Sequence, residues 1–461
     1  MTEPRPLPLS GQGYGLHCDQ YELTMAQAFH HTGRDGEVAF ELFVRSLPAQ
    51  RGYLVAAGLE QALAYLEGLR LDAADLAWLA EQGIYRDDFL ERLSTLRFTG
   101  RVEAVGEGTV IGAEVPLLRV TAPRIEATLV ESALLAIVNH QTMIASKAAR
   151  IVDASAGRPV WDFSLRRLHG PDAALGVARA AYIAGCAGTA TAVAGRRLGI
   201  PTTGTMAHHY VLAFGPSGEL AAFEAFLREY PGLAVLLVDT YDTTRGVANA
   251  ITASRATQVP LAGIRIDSGD LAEEARAARR SLDAAGMAAT RIIASNDLDE
   301  YRIDALVRAG APLDAFGVGT MLGTSADAPA LSGVYKLVAQ SEAGVDRPVM
   351  KLSAAKRTDP GIHQVFRDPG QGDVLGLADD VLPGRPLMRR VMEEGRTCVD
   401  LPGLDELRAH CLAERDTLPA AVRRIHDPQP WPVWRSPRLL ALRASLGDDG
   451  ESGGAPGERI A

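Results

Sequence analysis

The stretch Gly204-Thr205-Met206-Ala207-His208-His209 places a hydroxyl and two imidazoles just after a glycine that tolerates a strained backbone. An imidazole titrates near neutral pH, so it suits proton transfer, nucleophilic attack or contact with an anion. Neighbouring histidines on a helix point about 100° apart, so at most one of His208 and His209 faces a common site. Further polar groups recur down the chain: Asp162 with Arg166 and Arg167, Asp239 with Asp242, Asp267-Ser268-Gly269-Asp270, Ser295-Asn296-Asp297, and Gly317-Val318-Gly319-Thr320. Asp267 and Asp270 suit sugar hydroxyls or a hydrated Mg²⁺, with Asp270 the expected metal ligand. Arg166 and Arg167 suit bidentate contacts to phosphate or carboxylate. Gly317 to Thr320 reads as a phosphate loop, in which backbone N–H groups at a helix start hold an anion. Taken singly, each acidic or hydroxyl residue is also explained as a helix N-cap, Asp242 and Asp297 especially. Six such clusters in succession are harder to explain that way.

The clusters lie at the ends of short strand candidates at 159–163, 201–205, 234–238, 263–266, 291–294 and 315–318. Each run is followed by helix-like sequence, at roughly 25 to 40 residues per unit, the pattern of βα units. Parallel α/β folds carry their chemistry at the carboxyl ends of the strands. The expected fold is therefore α/β, with an irregular parallel (TIM-like) barrel over 136–330. Ahead of it, 1–135 reads as an α/β domain. It has a helix that Asp19 can cap, a strand at 38–44, helices within 58–69 and 73–96, and short strands over 98–120. One long helix is expected over 125–152. β character returns in 331–445 and is expected to complete the N-terminal domain. Residues 446–461, rich in Gly, Asp, Glu and Ser, read as a disordered tail, and Gly11 to Gly15 as a flexible lead-in.

With 461 residues, the chain has room for one large domain or two ordinary ones. A net charge of -10 argues against nucleic acid or an anionic membrane as the bulk partner. No apolar run reaches the roughly 18 residues that a membrane span needs. The proline-rich start at 1–10 lacks the features of a signal peptide. Cys18, Cys186, Cys398 and Cys411 lie far apart with no CxxC, as expected of free thiols in a reducing cytoplasm. His17, His30, His31 and His140 read as surface or hydrogen-bonded core residues. GxxxxGK[ST] is absent and no GxGxxG follows a strand, so neither a Walker-type nor a Rossmann nucleotide site is supported.

The motifs Asp19-Gln-Tyr-Glu-Leu-Thr-Met, Phe40-Glu-Leu-Phe, Phe163-Ser-Leu-Arg-Arg, Gly204-Thr-Met-Ala-His208, Asp239-Thr-Tyr-Asp, Gly263-Ile-Arg-Ile-Asp-Ser-Gly-Asp, Ser295-Asn-Asp-Leu-Asp-Glu, Gly317-Val-Gly-Thr, Gly333-Val-Tyr-Lys and Met350-Lys-Leu occur in that order. On these motifs, across about 14–440, the chain resembles the nicotinate phosphoribosyltransferases. These ATP-dependent ligases make nicotinate mononucleotide. The resemblance implies an irregular α/β barrel, an N-terminal domain completed by C-terminal strands, and a homodimer whose subunits share active sites. It implies that His208 is the histidine phosphorylated by ATP. Nicotinate would be met by Tyr21, Thr205, Arg265 and Arg166, with Tyr21 supplied across the dimer. Phosphoribosyl diphosphate would be met by Thr320, Gly319, Arg167, Ser268, Gly269, Asp270, Ser295 and Asn296. Asp267 would hold the ribose near the reacting carbon, Mg²⁺ would serve as cofactor and ATP as co-substrate. The one departure noticed is Phe163-Ser-Leu, where relatives often place glycine.

Three rival readings use different chemistry. A nicotinamide or quinolinate phosphoribosyltransferase would lack the Gly-Thr-x-Ala-His pattern or carry more cations for two carboxylates. A barrel aldolase would need a Schiff-base lysine, and Lys147, Lys336 and Lys351 are not at barrel strand ends. A non-catalytic sensor has no need of so complete a set of polar strand ends.

Overall fold

The computed structural model describes residues 14–342, 344–351, 358–368, 370–447 and 459–460. They fall into two compact units, Lys147–Pro329 and the flanking chain Met1–Ser146 with Ala330–Ala461.

In the first of these, short β-branched strands buried on both faces build a curled, six-stranded parallel sheet, a half-barrel. Its order is Gly188–Thr189, Val160–Asp162, Ala315–Val318, Arg291–Ala294, Gly263–Ile266, Val235–Leu237. Ile264, Ile266, Ile292, Phe316 and Val318 are fully buried, each worth about 1.5–3 kcal/mol of transfer free energy. Amphipathic helices cover the strands. Leu271–Ala284 buries Leu271, Ala275, Ala278 and Leu282, one stripe at helical spacing. The expected irregular α/β barrel is thus present in half-barrel form.

One expected strand is replaced. Residues 201–205 form no strand, and the sheet position belongs to Gly188–Thr189. Pro201 has no N–H to give a ladder. The segment runs beside Thr189 through two bonds only, Thr189 N–H to Pro201 O (3.0 Å) and Thr203 N–H to Thr189 O (3.0 Å). The approach is so close that a Cβ on Gly188 would lie 2.1 Å from Pro201 O, so this position requires glycine.

The other unit carries a seven-stranded antiparallel sheet. Its order is Val345–Pro348, Gly333–Glu342, Glu37–Val44, Pro116–Pro123, Arg101–Val105, Met388–Glu393, Arg396–Thr397. Strands from the C-terminal third flank the N-terminal ones on both sides, as expected. The single long helix is instead two, Arg124–Leu129 and Glu131–Ala154. At the break, the Glu22 carboxylate accepts both Ser132 N–H (3.1 Å) and the Ser132 hydroxyl (2.5 Å), drawing that N–H out of a continuous helical ladder. Asp19 occupies the N-cap position of Gln20–His31, but its side chain accepts no capping bond. Most of the tail, 448–458 and 461, lies outside the described residues, as does most of the Gly11 to Gly15 lead-in. Arg459–Ile460 pair with Val433–Arg435. No helix among the described residues is long and apolar enough to cross a membrane.

Candidate active site

A cleft of about 170 Å³ opens at the carboxyl ends of the half-barrel strands. Its first wall comes from the turn after Val160–Asp162. Asp162 is buried, and its carboxylate accepts Ser164 N–H (2.9 Å) and the Thr189 hydroxyl (2.7 Å). Burial raises its pKa, and the two bonds partly offset the rise. This carboxylate therefore fixes the turn, which ends in Leu165–Arg167 and presents exposed Arg166 and Arg167 to the cleft. Phe163 forms part of the floor, its N–H bonded to Val318 O at 2.8 Å. A Cβ on Gly317 would lie 2.4 Å from the Phe163 ring, so the neighbouring strand end needs glycine. Gly319 and Thr320 line the same cleft at the start of Thr320–Gly323.

The strand Arg291–Ala294 contributes Ser295, Asn296 and Asp297. Asn296 (φ 92°) and Asp297 (φ 43°) both hold left-handed backbone, an uncommon pairing that clusters at functional sites. The cap of the next helix is Asp299, so Asp297 faces the cleft and is not a capping residue.

Arg265, on Gly263–Ile266, is clamped from two sides. Its guanidinium donates to Met206 O (2.8 Å) and to the Ser295 hydroxyl (3.3 Å), and it lies 3.9 Å from Asp267 Oδ2. Burial lowers its pKa, while Asp267 and then Asp239 act to raise it. Asp239 orders the adjacent turn: its Oδ2 accepts Asp267 N–H (2.8 Å) and the Ser268 hydroxyl (2.6 Å). Its buried Oδ1 has no partner among the described residues.

His208 opens the short helix His208–Leu212. Its Nδ1 lies 3.2 Å from Thr240 Oγ1, and its Nε2 lies 3.6 Å from Asp267 Oδ2. His209 turns away, into a neighbouring cavity of about 730 Å³ shared with Thr205, Tyr210 and Tyr230.

The strand ends thus bring Arg166, Arg167, Arg265, Asp267, Ser295, Asn296, Gly319 and Thr320 around one cleft, with His208 against Asp267. Thr205 lines the neighbouring cavity instead. Ser268, Gly269 and Asp270 are exposed on the following turn and do not line the cleft. Asp270 caps Leu271–Ala284, its Oδ1 accepting Ala272 N–H (3.0 Å) and Glu273 N–H (3.2 Å). Tyr21 lies in the other unit, 45% exposed. Thr240, Phe163 and the orienting role of Asp239 escaped the sequence reading. The one signal for Thr240 was a hydroxyl directly after a strand-end aspartate.

Three guanidiniums against two carboxylates, Asp267 and Asp297, give the cleft a cationic lining suited to anions. Mg²⁺ binds through one or two carboxylates together with substrate phosphates. Asp267 and Asp297 fit that pattern, whereas the Asp270 carboxylate is engaged in its cap.

The chain matches the nicotinate phosphoribosyltransferase N-terminal domain over 16–139, the nicotinate phosphoribosyltransferase family over 159–375 and the corresponding C-terminal domain over 382–443. It is 45% identical to a nicotinate phosphoribosyltransferase of Mycobacterium tuberculosis, with 96% of each chain covered. It is 38% identical to the Bacillus subtilis enzyme of that name, covering 91% of this chain and 92% of that one. The crystal structure of human nicotinic acid phosphoribosyltransferase superposes with a TM-score of 0.81 at 27% identity, covering 93% of this chain and 99% of the human chain. By strand ends, sequence and fold together, this chain belongs to the nicotinate phosphoribosyltransferase family.

Proposed function

We propose that this cleft transfers the phosphoribosyl group of 5-phosphoribosyl 1-diphosphate to nicotinate, in the cytoplasm, as a salvage step of NAD biosynthesis coupled to ATP. The observation that carries the reading is the approach of His208 Nε2 to Asp267, a carboxylate that lines a cleft with three arginines.

In the transfer, the ribose C1–O bond breaks and the electron pair leaves with diphosphate. The pyridine nitrogen of nicotinate then supplies the pair for the new C1–N bond. The centre between is oxocarbenium-like and cationic, so a carboxylate beside the ribose lowers its energy. Asp267 takes that place and holds ribose hydroxyls. Arg167, Gly319, Thr320, Ser295 and Asn296 receive the phosphate and diphosphate oxygens, with Ser268, Gly269 and Asp270 at the rim. Asp267 and Asp297 would hold a Mg²⁺ bound with the diphosphate, which would supply neutralisation of the leaving-group charge. Arg265 and Arg166 clamp the nicotinate carboxylate, so the ring nitrogen is aimed at C1. Thr205 and Tyr21 complete the pyridine pocket, Tyr21 coming from the second subunit of a homodimer.

His208 couples ATP to this reaction. With Nδ1–H donating to Thr240, the Nε2 lone pair is free to take the γ-phosphoryl group. The P–O bond to ADP breaks as the N–P bond forms, and hydrolysis of the phosphohistidine restores the imidazole. The test is an assay with labelled nicotinate and 5-phosphoribosyl 1-diphosphate, with and without ATP, and with nicotinamide and quinolinate in parallel. ATP-stimulated product from nicotinate alone is expected. Preferred use of nicotinamide or quinolinate overturns the reading.

A further inference from the structure

His30 and His31 end the helix Gln20–His31, and Asp88 lies in the first turn of Asp87–Ser94. On a helix, adjacent side chains normally diverge by about 100°. Here both imidazoles close on one carboxylate: His31 Nε2 lies 3.1 Å from both Asp88 oxygens, and His30 Nε2 lies 3.8 Å from Oδ2. A ligand atom from each residue lies within 4.8 Å of the other two. The 3.8 Å separation is too long for a hydrogen bond, so hydrogen bonding alone does not account for the convergence of His30.

We propose that His30, His31 and Asp88 form a binding site for a borderline divalent transition metal, Zn²⁺ in the first instance. Zinc bonds to imidazole nitrogen and carboxylate oxygen at about 2.0–2.1 Å, which sets neighbouring tetrahedral donors about 3.4 Å apart. The 3.1 and 3.8 Å separations bracket that edge, so small rotations of the side chains suffice for coordination. Two nitrogens and one oxygen select zinc, cobalt or nickel over Mg²⁺ and Ca²⁺, and leave a fourth position for water.

The surroundings hold the three donors ready. Thr32 caps the helix through its N–H to Ala28 O (3.1 Å), and Gly33 (φ 64°) turns the chain away, so the partially negative helix end lies beside the cation. The His30 ring packs at 6.0 Å between centroids from Phe89. Gln27 ties the loop before Asp88 to the same helix, donating to Ile84 O (3.1 Å) and accepting Arg86 N–H (2.7 Å). The Arg86 guanidinium, 3.9 Å from Asp88 Oδ1, is the cation that zinc must displace or tolerate. Tyr21 is on the same helix at its opposite end, so metal binding would pin the helix that carries it.

The experiment uses the full-length protein at pH 7.5. Zn²⁺ is titrated against the wild type, His31→Asn and Asp88→Asn, and Co²⁺ is substituted as a spectroscopic probe. Expected for the wild type are one retained equivalent of zinc per chain, a Zn²⁺-dependent rise in Tm that Mg²⁺ does not reproduce, and cobalt d–d bands of tetrahedral intensity. In both variants the zinc Kd should rise at least tenfold and the cobalt bands should vanish, with metal-free far-UV dichroism unchanged. If a variant fails to fold, the wild-type cobalt spectrum and its competition by zinc decide the matter. Equal zinc retention by wild type and variants, or no stoichiometric zinc in the wild type, overturns the proposal and leaves a hydrogen-bonded tie between two helices.

Discussion

The His208 imidazole is held by Thr240: Nδ1, at the start of the short helix His208–Leu212, lies 3.2 Å from the Thr240 hydroxyl, 32 residues away in sequence. That contact determines which nitrogen is presented to Asp267. Replacing Thr240 by valine keeps the shape and removes the hydroxyl. One hydrogen bond is worth about 0.5–1.5 kcal/mol net, so ATP-coupled turnover should fall roughly 3- to 10-fold. The nicotinate KM should stay near its original value, because the clamp on the pyridine carboxylate is separate. Steady-state kinetics of Thr240→Val checks this, and an unchanged rate removes Thr240 from the coupling machinery.

Arg265 is anchored by Met206 O and Ser295, so its charge is fixed where a carboxylate would dock. Hydrogen bonds to charged groups are worth about 1.5–3 kcal/mol. Arg265→Ala should therefore cost roughly 10- to 100-fold in kcat/KM for nicotinate, mostly through KM. Nicotinamide, which has no carboxylate, should be a poor substrate for both proteins. An unchanged KM would move the clamp to Arg166 or Arg167.

Much of this site could be read from the sequence, because strand-end residues are punctuated by glycine and by polar clusters. Gly317, Gly319, Thr320, Asp267, and Arg166 with Arg167 all line the cleft. Other features depend on partners far away in the chain. Nothing local in the sequence announces that Glu22 accepts the Ser132 N–H at the break between two helices. Pro201, which has no N–H for a ladder, is a local signal against a strand at 201–205, and the structure has none there. The capping of Asp270 was legible as an alternative, and the structure shows that alternative in place. Thr240 could be found only once the fold had brought it to His208.

Gly317 and Phe163 interlock, since a methyl group at 317 would sit 2.4 Å from the ring. Gly317→Ala should destabilise the protein by about 1–3 kcal/mol through overpacking and lower kcat/KM by tilting the floor of the cleft. Adding Phe163→Leu should recover part of the loss in Tm, because the two changes share one contact. Thermal denaturation of the single and double variants measures that coupling, and strict additivity would contradict it.

In the antiparallel unit, buried His363 donates from Nδ1 to Glu41 at 2.6 Å, with Arg119 beside Glu41 at 3.2 Å. Burial opposes ionisation of both partners, but their mutual attraction prevails: His363 is raised above 6.5 and Glu41 is lowered below 4.5. The His363 contribution is full below pH 6.5 and is lost as pH rises through its folded pKa. The Glu41 contribution is full above pH 4.5 and is lost as pH falls through its folded pKa. Stability should therefore decline on both sides of a plateau in the pH 5–6 range. His363→Asn should cost about 3 kcal/mol at pH 6 and flatten the alkaline decline. Tm measured from pH 4 to 9 tests both slopes.

The proposed homodimer with shared active sites is tested by subunit mixing. Mixing inactive Tyr21→Ala with inactive Arg265→Ala chains should restore some activity, because one hybrid site then carries both residues. No recovery after confirmed subunit exchange would contradict the shared site.

The most direct test of the whole account is phosphorylation of His208. With ATP and Mg²⁺, the wild type should acquire an acid-labile, base-stable phosphoryl group that peptide mapping places on His208, and His209→Asn should acquire it as well. His208→Asn should lose the adduct, ATP hydrolysis and ATP stimulation, while still making nicotinate mononucleotide slowly without ATP. If His208→Asn continues to hydrolyse ATP in step with product formation, the coupling through His208 is wrong.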